Sequence, residues 1–333
     1  RSLAALMGLD GDPASPEARA WMRDHTLVRR IEAEHFDTEA LPVHRPLHLA
    51  GAGGDLCFTL ARRRVPDPLP PGWQVRDAGE GRVTVTVPDG LDVFLPTTRS
   101  SRVRSAGQLP TGFRPDKLYP SRNHPRGLQL AVYGASDALG ATGIDWETVR
   151  AAVRPDETAT FGSSSMAQLD GNGYAGMMRS ELLGRRVTSK QLPLGLPQMV
   201  ADFVNAYVLG SVGMTGANIG ACATFLYNLN QGVEEIRSGR RRVVMVGASE
   251  APITPEVIEG YRTMGALAED EALMALDGTD AADHRRACRP FAENCGFTVS
   301  ESSVFVLLMD DALALELGAQ VLGAVPGVFV HAD

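Results

Sequence analysis

No stretch of this 333-residue sequence approaches the roughly 18 consecutive apolar positions that a membrane-spanning helix requires. The first 25 residues lack the charged-then-apolar order of a secretory signal. A basic excess is missing as well. The formal net charge is -8, which removes the electrostatic footprint that nucleic acid binding needs. Cysteine is scarce, and Cys57, Cys222, Cys288 and Cys295 match no zinc-ligand spacing. In a chain this long they build no disulfide framework either. Together these absences exclude a membrane span, a nucleic-acid partner, a metal site and a stapled secreted domain. They leave an expected cytoplasmic protein with reduced thiols, of which all but Cys222 are expected to be buried or half-buried. An initiating methionine is also lacking: the chain opens at Arg1 and stops at Asp333 just past an apolar run, so both ends read as cuts.

What is present is 44% hydrophobic, enough for a sizeable core and for two domains or one large α/β unit. Residues 1–105 are heterogeneous and read as an appended α+β region. Helical spacing shows in Trp21, Met22, Leu27 and Ile31. A proline-rich tract at 66–71 marks a turn or linker, and GRVTVTV (81–87) alternates as a strand does. From about residue 106 strands and helices alternate. Apolar positions repeat at helical spacing over 124–141, TATFG (158–162) reads as a short buried strand, and 199–209 as an apolar helix. RVVMVG (242–247) reads as a buried parallel strand, 299–309 as a strand followed by a helix over 311–317, and 324–330 as a further strand. The alternation predicts an α/β fold with a covered, mostly parallel sheet. No internal repeat or low-complexity segment interrupts it.

Cys222 stands apart from the other thiols by its setting. GANIG (216–220) leads into GACAT (220–224), so a small-residue strand is expected to end at Gly220–Ala221 with a helix starting at or just after the cysteine. Small residues permit a sharp strand-to-helix turn and leave room for a ligand at sulfur. The thiolate is the competent nucleophile, and free N–H groups at a helix N-terminus favour it. The same groups can bind a carbonyl oxygen as it becomes negative. A buried cysteine acting as a small hydrophobe is the competing reading.

The text around the cysteine resembles the active-site block of the β-ketoacyl synthases. GACAT is followed by a helix ending EIRSG (235–239) and a strand VVMVGASE (243–250). Those enzymes show Ala-Cys-Ala-Thr, a helix ending in Ile-x-x-Gly, and a strand closing in Gly-Gly-x-Glu. Arg289-Pro-Phe291, Gly296-Phe297 and Glu301 look like a later family stretch, Gly143-Ile-Asp145 resembles the end of the family's first helix, and Gly162-Ser163 falls where it has a Gly-Ser-Gly strand end. The likeness runs over about 106–333 in unbroken order. SAGQLPTGF (105–113), QLPLG (191–195), NAYVLGSVGMTG (205–216) and Gly260-Tyr261 with MGAL (264–267) are similar to a long bacterial subgroup, about twice this length, found in pseudomonad-like bacteria. The sequence departs from the pattern at Phe225, where a small residue is usual, at 292–296, which is one residue short, and at Ser300 and Ser302, where the family has glycines.

The resemblance implies a thiolase-like fold whose N-terminal half is residues 106–333, with 1–105 a subgroup-specific region. It implies that Cys222 carries the acyl group and that no metal or redox cofactor is needed. The reaction it implies is decarboxylative condensation of an acyl primer, acetyl in that subgroup, with malonyl-acyl carrier protein. Ser165 and Met166 fall where related enzymes line the acyl pocket, and Phe225 is placed with them. Lys117 and Arg122 fall where related enzymes meet the acidic carrier protein; ordinary core packing and a solvated loop are the competing readings. The segment 212–221 resembles the strand that pairs with its symmetry mate, which implies a homodimer. The family's enolate-stabilising donors follow the point where this chain stops, and none of the seven histidines lies in their contexts. Residues 1–333 alone are therefore expected not to condense anything. The alternatives are a non-catalytic chain-length-factor-like subunit, which usually lacks the cysteine, a thiolase-fold acyltransferase, and a binding scaffold with a lapsed site. A polyketide synthase module would carry Ala-Cys-Ser-Ser-Ser, which is absent.

Overall fold

After a single helical turn at Leu3–Leu6, Ser15 begins helix α1 (Pro16–Asp24) by accepting the Ala18 N–H at 3.1 Å, and Pro16 takes the first helical position, where no N–H is missed. Strand β1 (Leu27–Arg30) follows. The helical spacing read from Trp21 to Ile31 therefore holds only for Trp21 and Met22. Leu27 opens the strand at a φ of 60°, and the ladder to a distant segment overrides local periodicity. The computed structural model describes residues 3–331, so Arg1 and Asp333, read from the sequence as cut ends, lie outside the described residues.

Residues 37–101 form a compact unit of their own. It holds β2 (Leu41–Leu49), β3 (Leu56–Ala61), β4 (Gln74–Gly79), β5 (Arg82–Val87) and β6 (Leu91–Arg99). β2 pairs antiparallel with β6, while β5 lies between β3 and β4. The alternation read in 81–87 is realised here: Val83, Val85 and Val87 are buried against Leu56, Phe58 and Trp73. The proline tract 66–71 joins β3 to β4. At the base of the unit, the Ser101 N–H donates to the Thr38 carbonyl at 2.7 Å.

The second unit comprises the chain up to Phe36 and from Arg102 onward. This division differs from the 1–105 and 106–333 expected from the sequence. The reason is β7 (Ser105–Gln108), which pairs antiparallel with β1 and so brings the N-terminal segment into the larger unit. The buried Arg29 guanidinium seals that pairing by donating to the carbonyls of Leu27, Gln108 and Leu109 and to Glu32.

The core of this unit is a four-stranded sheet built from β8 (Thr158–Ser163), β9 (Met214–Gly216), β10 (Val243–Glu250) and β11 (Ser302–Met309), in the order β11-β10-β8-β9. β8 runs parallel to both β9 and β10, whereas β11 is antiparallel to β10. Helices α2 (Arg126–Ala141) and α3 (Met199–Val204) cover one face, packing Leu128, Ala131, Val200 and Phe203 on Met245 and Phe305. Helix α4 (Thr224–Arg237) covers the other, setting Phe225, Leu229 and Ile236 on Ala159, Phe161, Val244 and Val246. Successive β10 side chains thus go to opposite helical layers, which is why that strand reads as one continuous apolar run. The helix expected over 199–209 continues past α3 as a π-helical turn, Asn205–Leu209, and stops at Gly210, whose φ of 84° suits glycine. Helix α5 (Asp311–Glu316) follows β11 as expected.

Three expectations are corrected. Residues 324–330 form no strand; they find no neighbouring strand edge, and Phe329 is exposed. Cys57 and Cys288 are exposed instead of buried, Cys57 because it lies on the outer face of β3 opposite Thr86. The small-residue strand before Cys222 spans only Met214–Gly216, for a reason that lies in the site itself.

Candidate active site

Beyond Gly216 the backbone stops making ladder bonds. Its polar groups turn to side chains: the Asn218 N–H donates to Asn228 Oδ1 at 2.9 Å, and the Asn218 carbonyl accepts from Ser163 Oγ at 2.5 Å. Gly220 N–H donates to Thr224 Oγ1 at 3.1 Å, and the same hydroxyl donates to the Ala221 carbonyl at 2.7 Å. Ala221 is held at a φ of 46°, a left-handed conformation costing an alanine about 1–2 kcal/mol. Gly220 is required for a different reason. A Cβ there would meet the Tyr227 ring at 2.3 Å.

Cys222 follows in a single 3-10 turn, Ala221–Ala223, and α4 starts at Thr224. The expected setting at a helix start is therefore present, and the thiol is exposed. The Ala223 N–H is taken by the Gly220 carbonyl and the Thr224 N–H by the Ala221 carbonyl. Among the described residues no hydrogen bond uses the Cys222 N–H. A donor beside a nucleophilic sulfur is placed to meet the oxygen of a carbonyl that the sulfur attacks.

The sequence reading missed Asn228. It lies on the same stripe of α4 as Phe225, Leu229, Gly232 and Ile236, yet it is fully buried. An amide there would cost about 1–3 kcal/mol if unsatisfied. It is satisfied throughout: besides Oδ1, its Nδ2 faces Ser163 Oγ at 2.8 Å and the carbonyls of Thr224, Asn218 and Gly247 at 3.2 to 3.4 Å. A polar residue at helical spacing within an apolar stripe was the available signal.

Ser165 and Met166 follow the end of β8 after Ser164, and of this stretch it is Ser163 that bonds to the segment leading into Cys222. Their loop is fixed by Glu250 at the end of β10, whose carboxylate accepts from the Ser164 hydroxyl at 2.9 Å and from the Ser165 N–H. Burial pushes the Glu250 carboxyl above its ordinary value against those hydrogen bonds. Met166 packs on the cluster of Ile253, Val257 and Leu267, and the Tyr261 hydroxyl lies 3.8 Å from its sulfur. Phe225 packs on the sheet under α4. Lys117 and Arg122 are exposed on the segment preceding α2. That segment is anchored to the core by Arg126, which makes two hydrogen bonds to the buried Glu301 carboxylate and donates its N–H to Asp170. His124 is buried among Tyr119, Phe203 and Tyr207, and burial holds its pKa below the ordinary histidine value. A hollow of about 260 Å³ lined by Arg150, Arg154, Thr158 and Val212 opens at the opposite end of β8. No group of histidine, cysteine and carboxylate side chains among the described residues could hold a metal ion, and no helix among them is long and apolar enough to cross a membrane.

Residues 120–314 match the family described as β-ketoacyl synthase, N-terminal domain. The chain is 54% identical over 330 residues to the β-ketoacyl-acyl-carrier-protein synthase FabY of Pseudomonas aeruginosa, covering 97% of this chain and 52% of that protein. The crystal structure of the ketosynthase FabY from P. aeruginosa superposes with a TM-score of 0.95 at 52% identity, over 99% of this chain and 55% of that one. A β-ketoacyl synthase from Burkholderia phymatum superposes at 0.54 and 19% identity, over 66% of this chain and 51% of that one, a likeness of fold alone. The chain thus spans about half the length of the relatives named here.

Proposed function

The chain belongs to the β-ketoacyl synthase family and carries the N-terminal part of its thiolase-like fold, and on that premise we propose that it supplies the nucleophile of a condensing enzyme of fatty acid synthesis. Cys222 takes an acyl group, acetyl by likeness to the long bacterial subgroup, from coenzyme A or a carrier protein. Malonyl-acyl carrier protein then loses CO2, and its carbanion attacks the bound thioester carbonyl. The C–C bond forms as the Cys222 thiolate leaves, giving a β-ketoacyl product. The observation that carries this reading is an exposed thiol in the turn before α4, with the unused Cys222 N–H beside it.

The remaining assignments extend that reading. Ser165 and Met166 contribute to the acyl pocket from the end of β8, and Phe225 narrows it from α4. Lys117 and Arg122 offer exposed cations to an acidic carrier protein, a partner supported by the name of the 54% identical relative. β9 is an edge strand with Met214 exposed, and its pairing with the β9 of a second copy would close that edge. A cytoplasmic location agrees with these substrates.

The test is acylation of the purified full-length protein by acetyl-CoA, followed by mass spectrometry of its peptides. One acetyl group is expected on the peptide containing Cys222, and none in the Cys222→Ala variant. Acetylation that persists in that variant, or its absence from the wild type, would overturn the reading.

A further inference from the structure

We propose that Asn228 is a positioning residue for the acylation of Cys222, acting through the Asn218 peptide and Ser163; this rests on the condensing-enzyme reading above. The two side chains and one peptide form a closed ring. Asn218 N–H donates to Asn228 Oδ1, Asn228 Nδ2 donates to Ser163 Oγ, and Ser163 Oγ donates to the Asn218 carbonyl. Each polar group in the ring is used in the one sense its chemistry allows, since a carboxamide accepts at oxygen and donates at nitrogen while a hydroxyl does both. The ring grips both sides of residue 218, in a segment of irregular backbone, and ties it to the last residue of β8 and the second turn of α4.

The consequence falls on the next four residues. Residues 217–220 belong to no strand or helix, so the ring and the Thr224 hydroxyl are the side-chain restraints that fix the path into Ala221 and its left-handed φ. That path sets the direction of the Cys222 N–H. In acylation the sulfur bonds to the thioester carbonyl carbon, and the carbonyl electron pair moves onto oxygen. It returns as the bond from the carbonyl carbon to the coenzyme A sulfur breaks, with coenzyme A leaving as its thiolate. The N–H must point at that oxygen while it carries charge. An amide buried in an apolar stripe, with its oxygen on the Asn218 N–H and its nitrogen on the hydroxyl that holds the Asn218 carbonyl, is what holding such a donor in direction requires.

Acylation and simple alkylation separate this role from a structural one. Iodoacetamide reacts at sulfur by displacement and develops no oxyanion, so it reads exposure of the thiol without reading the N–H. In the full-length protein, Asn228→Ala is expected to slow acetylation of Cys222 by acetyl-CoA about a hundredfold, the scale of losing one oxyanion donor. Its alkylation by iodoacetamide should change by less than about threefold, because the thiol stays on the surface. Ser163→Ala opens the ring at one link, and a loss of about tenfold in acetylation alone is expected; it carries the test if Asn228→Ala fails to fold. An unchanged ratio of the two rates in a folded variant would overturn the inference. A wild-type protein that is not acetylated at Cys222 would instead overturn the functional reading beneath it.

Discussion

At the scale of single residues, the turn before Cys222 is specified by exclusion of atoms as much as by contacts. Gly220 has a φ of -144°, outside the left-handed range that favours glycine, and it is the Tyr227 ring that leaves no space for a side chain there. Gly220→Ala is therefore expected to destabilise the protein by about 1–3 kcal/mol, the usual cost of overpacking, measurable as a lower urea midpoint. A second effect should accompany it: slower acetylation of Cys222, since the ring can yield only by moving α4 or the turn. GACAT made the turn legible in the sequence, because small residues, a cysteine and a following helix are adjacent there. The Tyr227 contact was not legible, since nothing in a linear pattern says which face of α4 looks back at the loop.

At the scale of elements, buried carboxylates fasten strand ends to loops, and they respond to pH in opposite senses. For Glu301, burial would raise the carboxyl, but the Arg126 hydrogen bonds and charge outweigh it and hold it below the ordinary value. A depressed carboxyl gives stability that is present at neutral pH and lost as pH falls through the folded-state value. Glu250 behaves in reverse. Burial raises it, so the folded state binds its proton more tightly than the unfolded chain does. Its contribution is fully present below the unfolded value and is lost as pH rises through the raised one. Glu250→Gln removes this titration. Urea midpoints taken from about pH 4 to about pH 8 should show the variant gaining on wild type as pH rises. A difference that stays level, or that shrinks, would contradict the assignment. The family pattern made Glu250 and Glu301 visible as letters, whereas their opposite electrostatics depend on burial at Glu250 and on Arg126, 175 residues away along the chain, at Glu301.

At the scale of the whole molecule, the unit of residues 37–101 is an insertion whose two ends meet. The Thr38–Ser101 backbone bond and the first β2–β6 pair, Leu41 with Arg99, bring entry and exit together. The larger unit has its own ladder between β1 and β7 and its own cores on both faces of the four-stranded sheet. Replacing residues 39–100 by a short Gly/Ser linker should leave a folded protein by circular dichroism, with iodoacetamide reactivity at Cys222 within about twofold of wild type, since short linkers close such gaps at small entropic cost. Loss of the folded signal would mean that the larger unit depends on the insertion.

By itself the sequence determined which segments bury and how often they alternate. β5, β8, β10, α2 and α4 follow from apolar period, and the turn at Cys222 from its small residues and the helix behind it. These are local properties, set within a few residues by backbone sterics and the hydrophobic effect. Only the tertiary structure decided that β1 joins β7 across the insertion, that β11 runs against β10, and that Asn228 and Ser163 meet around the Asn218 peptide. Each joins residues far apart in the chain, and hydrogen-bond partners are chosen by what the folded core brings within 3 Å, about which residue order alone is silent.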